Sequence, residues 1–380
     1  MGEHRPSLSG FTAASLLFLL SHPSAKTVMM TQRQSRVRVA PIGGTMKFAA
    51  LVLLACACRP STTHAEFVFT IFSVPGSTVS SARDINDAGL AVGDFFDARD
   101  RHGYLRDAAG TFTTFDAPGS ETFGRGINNF GSVTGAVRDS TAQGFHAYIR
   151  AADGTFITFD APGSTRAPGA GTFGNGINDA GLVVGSFFDD ALHNHGFVRL
   201  ADGTIASFDV PGSSGTIIGG IDNLGRMTGA FTDLSFLGHG FVRDIDGSVL
   251  IFNVPGSRET FGLDINDAGQ VTGNFFDSRG VIHGFVRNVD GGFLTVDAPG
   301  SRETQSMGIN NRGQLAGDLA ATFAFIATPA AIPEPSSLIL FGTGLGGWLG
   351  YRRRKGNHHS IRTVSVRPDS ELDNSTSLIK

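Results

Sequence analysis

Four histidines, His102, His195, His239 and His283, stand at one position of a recurring segment, each just before Gly-Phe or Gly-Tyr. A ring nitrogen supplied in copy after copy suits a hydrogen bond that each copy needs for itself, because an active site draws unlike residues from different copies. His193-x-His195 is the metal-binding alternative, and no metal ligand is assigned from it. Aspartates also recur, at Asp97, Asp139, Asp189, Asp190, Asp233 and Asp277. Oxygen-rich loops of this kind could hold calcium, although the spacing is not that of an EF-hand and Asp is a common turn residue. Glycan hydrolysis or elimination needs carboxylates at a defined separation, and Asp84 and Asp264 are the candidates, since four copies carry glycine there. Two stretches, Gly169–Gly174 and Gly342–Gly347, match the dinucleotide glycine pattern. Neither follows a strand and opens a helix, so a phosphate cradle has no scaffold. No catalytic residue and no cofactor are assigned.

The elements that must position these groups come from one unit, residues 239–282, which recurs six times with small variations. A period of about 44 residues holding four short apolar runs has the length and strand count of a propeller blade. Run a (HGFVR) and run b (FxxFDxPG) are joined by Asp-Gly, as at Asp153-Gly154, Asp202-Gly203, Asp246-Gly247 and Asp290-Gly291, a dipeptide suited to a tight hairpin. Run c (GIND) and run d (GxVxGxF) are joined by Asn-Asp-Ala-Gly or a variant, a second turn composition. The first copy, from about Glu66, opens with run b as FVFTIFSVPG, and the last ends with a surplus run a at Thr322–Thr328. Joined, they complete a sixth unit, the way a propeller closes without an exposed sheet edge. The expected fold is all-β, a six-bladed propeller of four-stranded blades in the order c, d, a, b from axis to rim.

Run c carries Asn86, Asn128, Asn178, Asp222, Asn266 and Asn310, expected to ring the axis and satisfy turn backbone groups. Binding is expected on the b-to-c loops, because loops carry function while a scaffold positions them. Those loops hold Glu121, Arg166, Arg258, Glu259, Arg302 and Glu303. Arg83 and Arg125 stand just before run c, where other copies have Asn175, Gly219, Leu263 and Met307, which makes the pocket asymmetric. The competing reading is a solvated charged rim. The single tryptophan is Trp348, outside the repeats, and the repeats hold only Tyr104 and Tyr148, so aromatic sugar stacking is poorly supplied. The formal net charge is −4 with no basic stripe outside the termini, which argues against nucleic acid.

Residues 1–45 lack the repeat grammar and form an N-terminal extension. Residues 46–65 have the parts of a secretory signal: Met46-Lys47, the apolar FAALVLLACAC, and Thr63-His64-Ala65. Leu53-Leu54-Ala55-Cys56 offers lipoprotein cleavage as an alternative. Cys56 and Cys58 are the only cysteines, so cleavage behind Ala65 leaves a propeller, residues 66–328, held by packing without disulfides. A linker, 329–335, contains Pro333-Glu334-Pro335, and residues 336–355 form an apolar stretch ending in Arg352, Arg353, Arg354 and Lys355. At about 1.5 Å per residue that helix is somewhat short for a bilayer, and the cationic end would stay cytoplasmic. Residues 356–380 are read as a disordered tail.

The Pro-Glu-Pro tripeptide, apolar helix and arginine cluster resemble the PEP-CTERM sorting signal of Gram-negative bacteria. The repeats, with HGFVR or HGYLR and GIND followed by GxVxG, look like the HAF family of extracellular repeats. The first resemblance implies an exosortase partner, transient anchoring in the inner membrane, and association with extracellular polysaccharide at the cell surface or matrix. Neither brings a catalytic residue. The expected function is therefore a non-catalytic binding or structural propeller; the alternatives are a glycan hydrolase or lyase at the channel mouth and a calcium-dependent adhesion module.

Overall fold

The computed structural model describes residues 67–141 and 144–330; the expected signal peptide, sorting residues, anchor helix and tail lie outside them. Six antiparallel four-stranded sheets form the blades, and no α-helix occurs among the described residues. Innermost are the run c strands Val79–Ile85, Thr122–Ile127, Thr172–Ile177, Gly215–Ile221, Glu259–Ile265 and Thr304–Ile309, followed outward by d, a and b. The sixth blade is completed by the N-terminal strand Phe67–Phe72, which pairs antiparallel with Phe323–Pro329, Phe67 opposite Pro329 and Phe72 opposite Ala324. The ring therefore closes by joining the two ends of the repeat array, as expected.

The first five residues of strand d are buried in every blade, for example in Val183–Phe188 and Val271–Phe276. Sheets of adjacent blades cover both its faces, which is why its sequence is a continuous apolar or small run rather than an alternation. Its central glycine lies opposite an aromatic ring of strand a in each blade: Gly93 with Tyr104, Gly135 with Tyr148, Gly185 with Phe197, Gly229 with Phe241, Gly273 with Phe285 and Gly317 with Phe325. The ring lies over the space that a side chain would take, and all six rings are fully buried. A Cβ on Gly229 would stand 2.0 Å from the Ile217 carbonyl oxygen and 2.8 Å from the Phe241 ring.

The arginine that ends run a joins neighbouring blades. The guanidinium carbons of Arg106, Arg150, Arg199, Arg243 and Arg287 lie 4.6–5.3 Å from the ring centres of Phe72, Phe115, Phe159, Phe208 and Phe252, each on strand b of the preceding blade. Such contacts hold a charged head at the surface while its stem covers apolar area.

Substituting Gly229→Ala forces the backbone and the Phe241 ring apart, so unfolding in denaturant is expected to show a loss of about 1–3 kcal/mol. An unchanged midpoint and slope would mean that the ring does not need the bare glycine.

Candidate functional site

Every run c strand carries a β-bulge at one place, between Ala82 and Asp84, Gly124 and Gly126, Gly174 and Gly176, Ile218 and Gly220, Gly262 and Asp264, and Ser306 and Gly308. A bulge sets two residues of one strand against one of its partner and re-aims the side chains there. The bulge divides the channel into two unlike ends.

The end at the c-to-d turns is ringed by hydrogen bonds around a small cavity of about 60 Å³ lined by like residues of all six blades. The main-chain N–H of Asp87, Asn129, Asp179, Asn223, Asp267 and Asn311 each donates to Oδ1 of the next residue in that order, 2.8–2.9 Å, and Asn311 returns to Asp87. Acid and amide alternate around this ring, so no two carboxylates are neighbours, and the Nδ2 groups of Asn129, Asn223 and Asn311 donate to flanking Asp Oδ2 atoms. Beside it, Asn86, Asn128, Asn178, Asn266 and Asn310 accept turn N–H bonds at Oδ1 while Nδ2 donates to a carbonyl of the next blade. The expected turn role is thus half of what these side chains do. Within the channel, the Asp84 carboxylate accepts from the N–H of Ile85 and Ile127, and Asp264 from Ile265 and Ile309. The two carboxyls are close enough to influence each other's ionisation. Burial, and for Asp84 also repulsion by Asp264, holds this pair above the usual carboxylate range. They narrow the axis and line the small cavity at this end.

The opposite end is open. A cavity of about 240 Å³ is lined by Arg83, Arg125 and Asn175 on one side and by Ile217, Phe261, Leu263, Phe276, Ile282 and Met307 on the other. Arg125 Nη1 donates to Asn175 Oδ1 at 2.9 Å, and Asn175 Nδ2 donates to the Ile218 carbonyl at 2.8 Å. A second cavity of about 180 Å³ shares Arg83, Gln305 and Met307 with the first and reaches Asp94, Arg101 and Asp318. Asp94 is clamped by Arg101 Nη1 at 2.8 Å and Arg83 Nη2 at 3.5 Å. Burial would raise its pKa, but the two guanidiniums outweigh that and hold it below the usual range. Asp318 receives Ser81 Oγ at 3.1 Å on Oδ2, whereas its buried Oδ1 has no hydrogen-bond partner. Burial pushes Asp318 up to about 6.

Of the residues expected on the binding face, Arg83 and Arg125 line the open mouth. Around the rim, Glu121 pairs with Arg138 at 3.4 Å, Arg166 reaches Asp160 at 3.4 Å, and Arg258 reaches Glu259 at 3.5 Å. Arg302 is exposed and Glu303 half-buried on the corresponding loop. The recurring histidines bridge two loops. Nδ1 of His102, His195 and His283 contacts Asp116, Asp209 and Asp297 of run b at 2.7–2.9 Å, while Nε2 faces Asp97, Asp189 and Asp277. His239 does the same between Asn253 and Asp233. His146 occupies the same place in the second blade, between Asp160 and Asp139. It precedes Ala147 instead of glycine, and the offset to Tyr148-Ile149-Arg150 is the signal that places it. The Oδ1 atoms of Asp97, Asp139, Asp189, Asp233 and Asp277 cap N–H groups of their own loops. Among the described residues no group of three or more His, Cys, Asp or Glu is arranged to hold a metal ion.

A PEP-CTERM protein-sorting motif matches residues 331–355. The chain is thus an exported propeller carrying the signal that exosortase recognises, which directs membrane-anchored sorting. No curated protein matches the sequence. Among solved structures it is similar to virginiamycin B lyase from Staphylococcus aureus, with 12% identity over 69% of this chain and 99% of that one, TM-score 0.45. It is also similar to AofleA from Arthrobotrys oligospora (14% identity, 68% of this chain and 85% of that one, TM-score 0.46). A third is XC5397 from Xanthomonas campestris, a gluconolactonase (12% identity, 74% and 94%, TM-score 0.44). These likenesses bear on no residue of the site.

The raised carboxyls of Asp84 and Asp264 give stability a defined pH slope. A carboxyl whose folded pKa is raised contributes fully below its unfolded value near 4 and loses that contribution as pH rises toward the folded one. His102 and His195 act in the same direction. Burial works against their charged rings, but the bonds to Asp116 and Asp97, and to Asp209 and Asp189, leave both raised. Their contribution is complete below about 6.5 and disappears as pH climbs through the folded values. Tm is therefore expected to fall between pH 5 and pH 8, and Asp84→Asn to flatten that fall. An unaltered slope in the variant would show that the axial pair holds no proton.

Proposed function

We propose that the protein is an exported, exosortase-sorted component of the cell surface or matrix, acting as a non-catalytic binding propeller that associates with extracellular polysaccharide. The observation that carries this reading is the contrast between the two channel ends. One is a narrow cavity of about 60 Å³ ringed by hydrogen bonds among like residues, whereas the other gathers unlike residues from all six blades around a cavity of about 240 Å³. The sorting motif supports the address. The residues 46–65 as signal peptide, the apolar stretch 336–355 as anchor helix, and the HAF-like character of the repeats belong to the same reading.

Expressed with and without an exosortase, the chain is expected to leave the membrane fraction only when the enzyme is present. Exposed arginines on the rim would then hold an acidic polysaccharide by charge. Replacing Arg166, Arg258 and Arg302 together by Gln should weaken retention on it several-fold in low salt and little at 0.5 M, where such charges are screened. Equal retention by the triple variant at both ionic strengths counts against the rim as the polysaccharide surface.

The glycan hydrolase or lyase alternative has one observation in its favour: Asp94 and Asp318 share a cavity beside the mouth and are pushed apart in pKa. Groups separated in this way can divide acid and base roles. Asp94, however, is already engaged by two guanidiniums, which makes it a weak base. If the alternative holds, the protein depolymerises a glycan below about pH 6 and Asp318→Asn does not; no product from any glycan tested over that range retires it.

A further inference from the structure

The open mouth is divided by charge as well as by shape. Arg83 and Arg125, with Asn175, come from the first three blades, while Ile217, Phe261, Leu263, Phe276, Ile282 and Met307 come from the last three. Arg83 already serves Asp94 and touches the Met307 sulfur at 3.0 Å. Arg125 has no carboxylate within ion-pair distance among the described residues, and its one side-chain acceptor is the neutral Asn175 Oδ1. It is flanked by the rings of Phe173 and Phe123, with Arg101 stacked on the far side of Phe123. Three guanidiniums thus face one firmly ionised carboxylate, and the excess positive charge falls where the cavity is open. Desolvation and repulsion from Arg83 pull Arg125 down to about 10, the cost of holding a cation there without a counter-ion.

We propose that this mouth binds a small organic acid, with its carboxylate on Arg125 and an apolar body against Phe261, Leu263, Phe276 and Ile282. A cavity of about 150 Å³ accommodates benzene, so one of about 240 Å³ takes a ring with a short acidic side chain. A guanidinium supplies two parallel donors to a carboxylate, and the opposite wall has few polar groups with which to bind sugar hydroxyls. The proposal rests on the mouth being the ligand site and narrows what that site accepts.

The test is calorimetric titration of the full chain with 3-phenylpropionate, its uncharged analogue 3-phenylpropionamide, and glucuronate. The acid is expected to bind at least tenfold more tightly than the amide and than glucuronate. Arg125→Gln should erase the acid-over-amide preference, Arg125→Lys should retain part of it, and Arg312→Gln, exposed at the c-to-d turns, should leave it intact. Because Arg125 lacks a counter-ion, Arg125→Gln should melt no lower than the wild type, and a marked fall in Tm overturns the idea that this cation awaits a ligand. The comparison of acid with amide on the unmodified chain needs no variant. Equal affinities there, or tighter binding of glucuronate, overturn the organic-acid assignment while leaving a binding mouth in place. Silence from all three probes and from a glycan panel removes both.

Discussion

Closure of the ring at the axis is the constraint on which the remaining geometry depends. Six blades packed face to face bury their d strands whatever happens at the centre, but the angle between neighbours is fixed where the c-to-d turns meet. Each turn asparagine accepts from its own backbone and donates to the next blade, and each following residue passes a main-chain hydrogen bond around the circle. The fourth blade departs from this. Asp222 has no amide to donate, and Arg226 substitutes, its Nε bonding Asp222 while Nη2 reaches the carbonyl of Asp267 in the next blade. The ring therefore depends on where the donors lie rather than on one residue type.

The bulge in strand c separates this fixed end from the variable one. Behind it, glycine is needed in four blades because the strands crowd the axis: a Cβ on Gly220 would stand 2.7 Å from the Cα of Asp264, and one on Gly308 would stand 2.5 Å from that of Asp84. The other two blades carry Asp84 and Asp264, which line the small cavity left there. Ahead of it the channel widens, side chains from arginine to glycine are accommodated, and the scaffold is insensitive to which is present. Structure and recognition are divided between adjacent residues of one strand.

The repeat grammar made the blade count, strand order and joined ends legible, because these follow from local periodicity and from a tally of runs. The alternating ring of Asp87, Asn129, Asp179, Asn223, Asp267 and Asn311 was not read. Its partners lie on neighbouring blades 42 to 50 residues apart along the chain, or 224 where the ring closes, and only closure brings them together. Arg83 and Arg125 were singled out by their variation among copies, a signal that survives without coordinates. Asp318 gave no such signal. It lies in the last copy, where the run after it is Phe-Ala-Phe instead of His-Gly-Phe, and its importance comes from a neighbour, Ser81, in the first blade.

The joining of first and last blades also explains why the polar cavity sits where it does. The sixth blade has Phe323 where the others have histidine, and Ala327 where the others have the arginine that clamps the preceding blade, so that contact is missing toward the fifth blade. Across the boundary between sixth and first blades Arg106 still lies on Phe72, and Ser81 with Asp318 and Ser80 with the Thr322 carbonyl add polar contacts. These polar contacts leave one Asp318 carboxylate oxygen unsatisfied beside the mouth. Among the described residues, a polar cavity holding Asp94, Arg101 and Asp318 thus lies at the place where the array is closed from two ends, beside the mouth with which it shares Arg83.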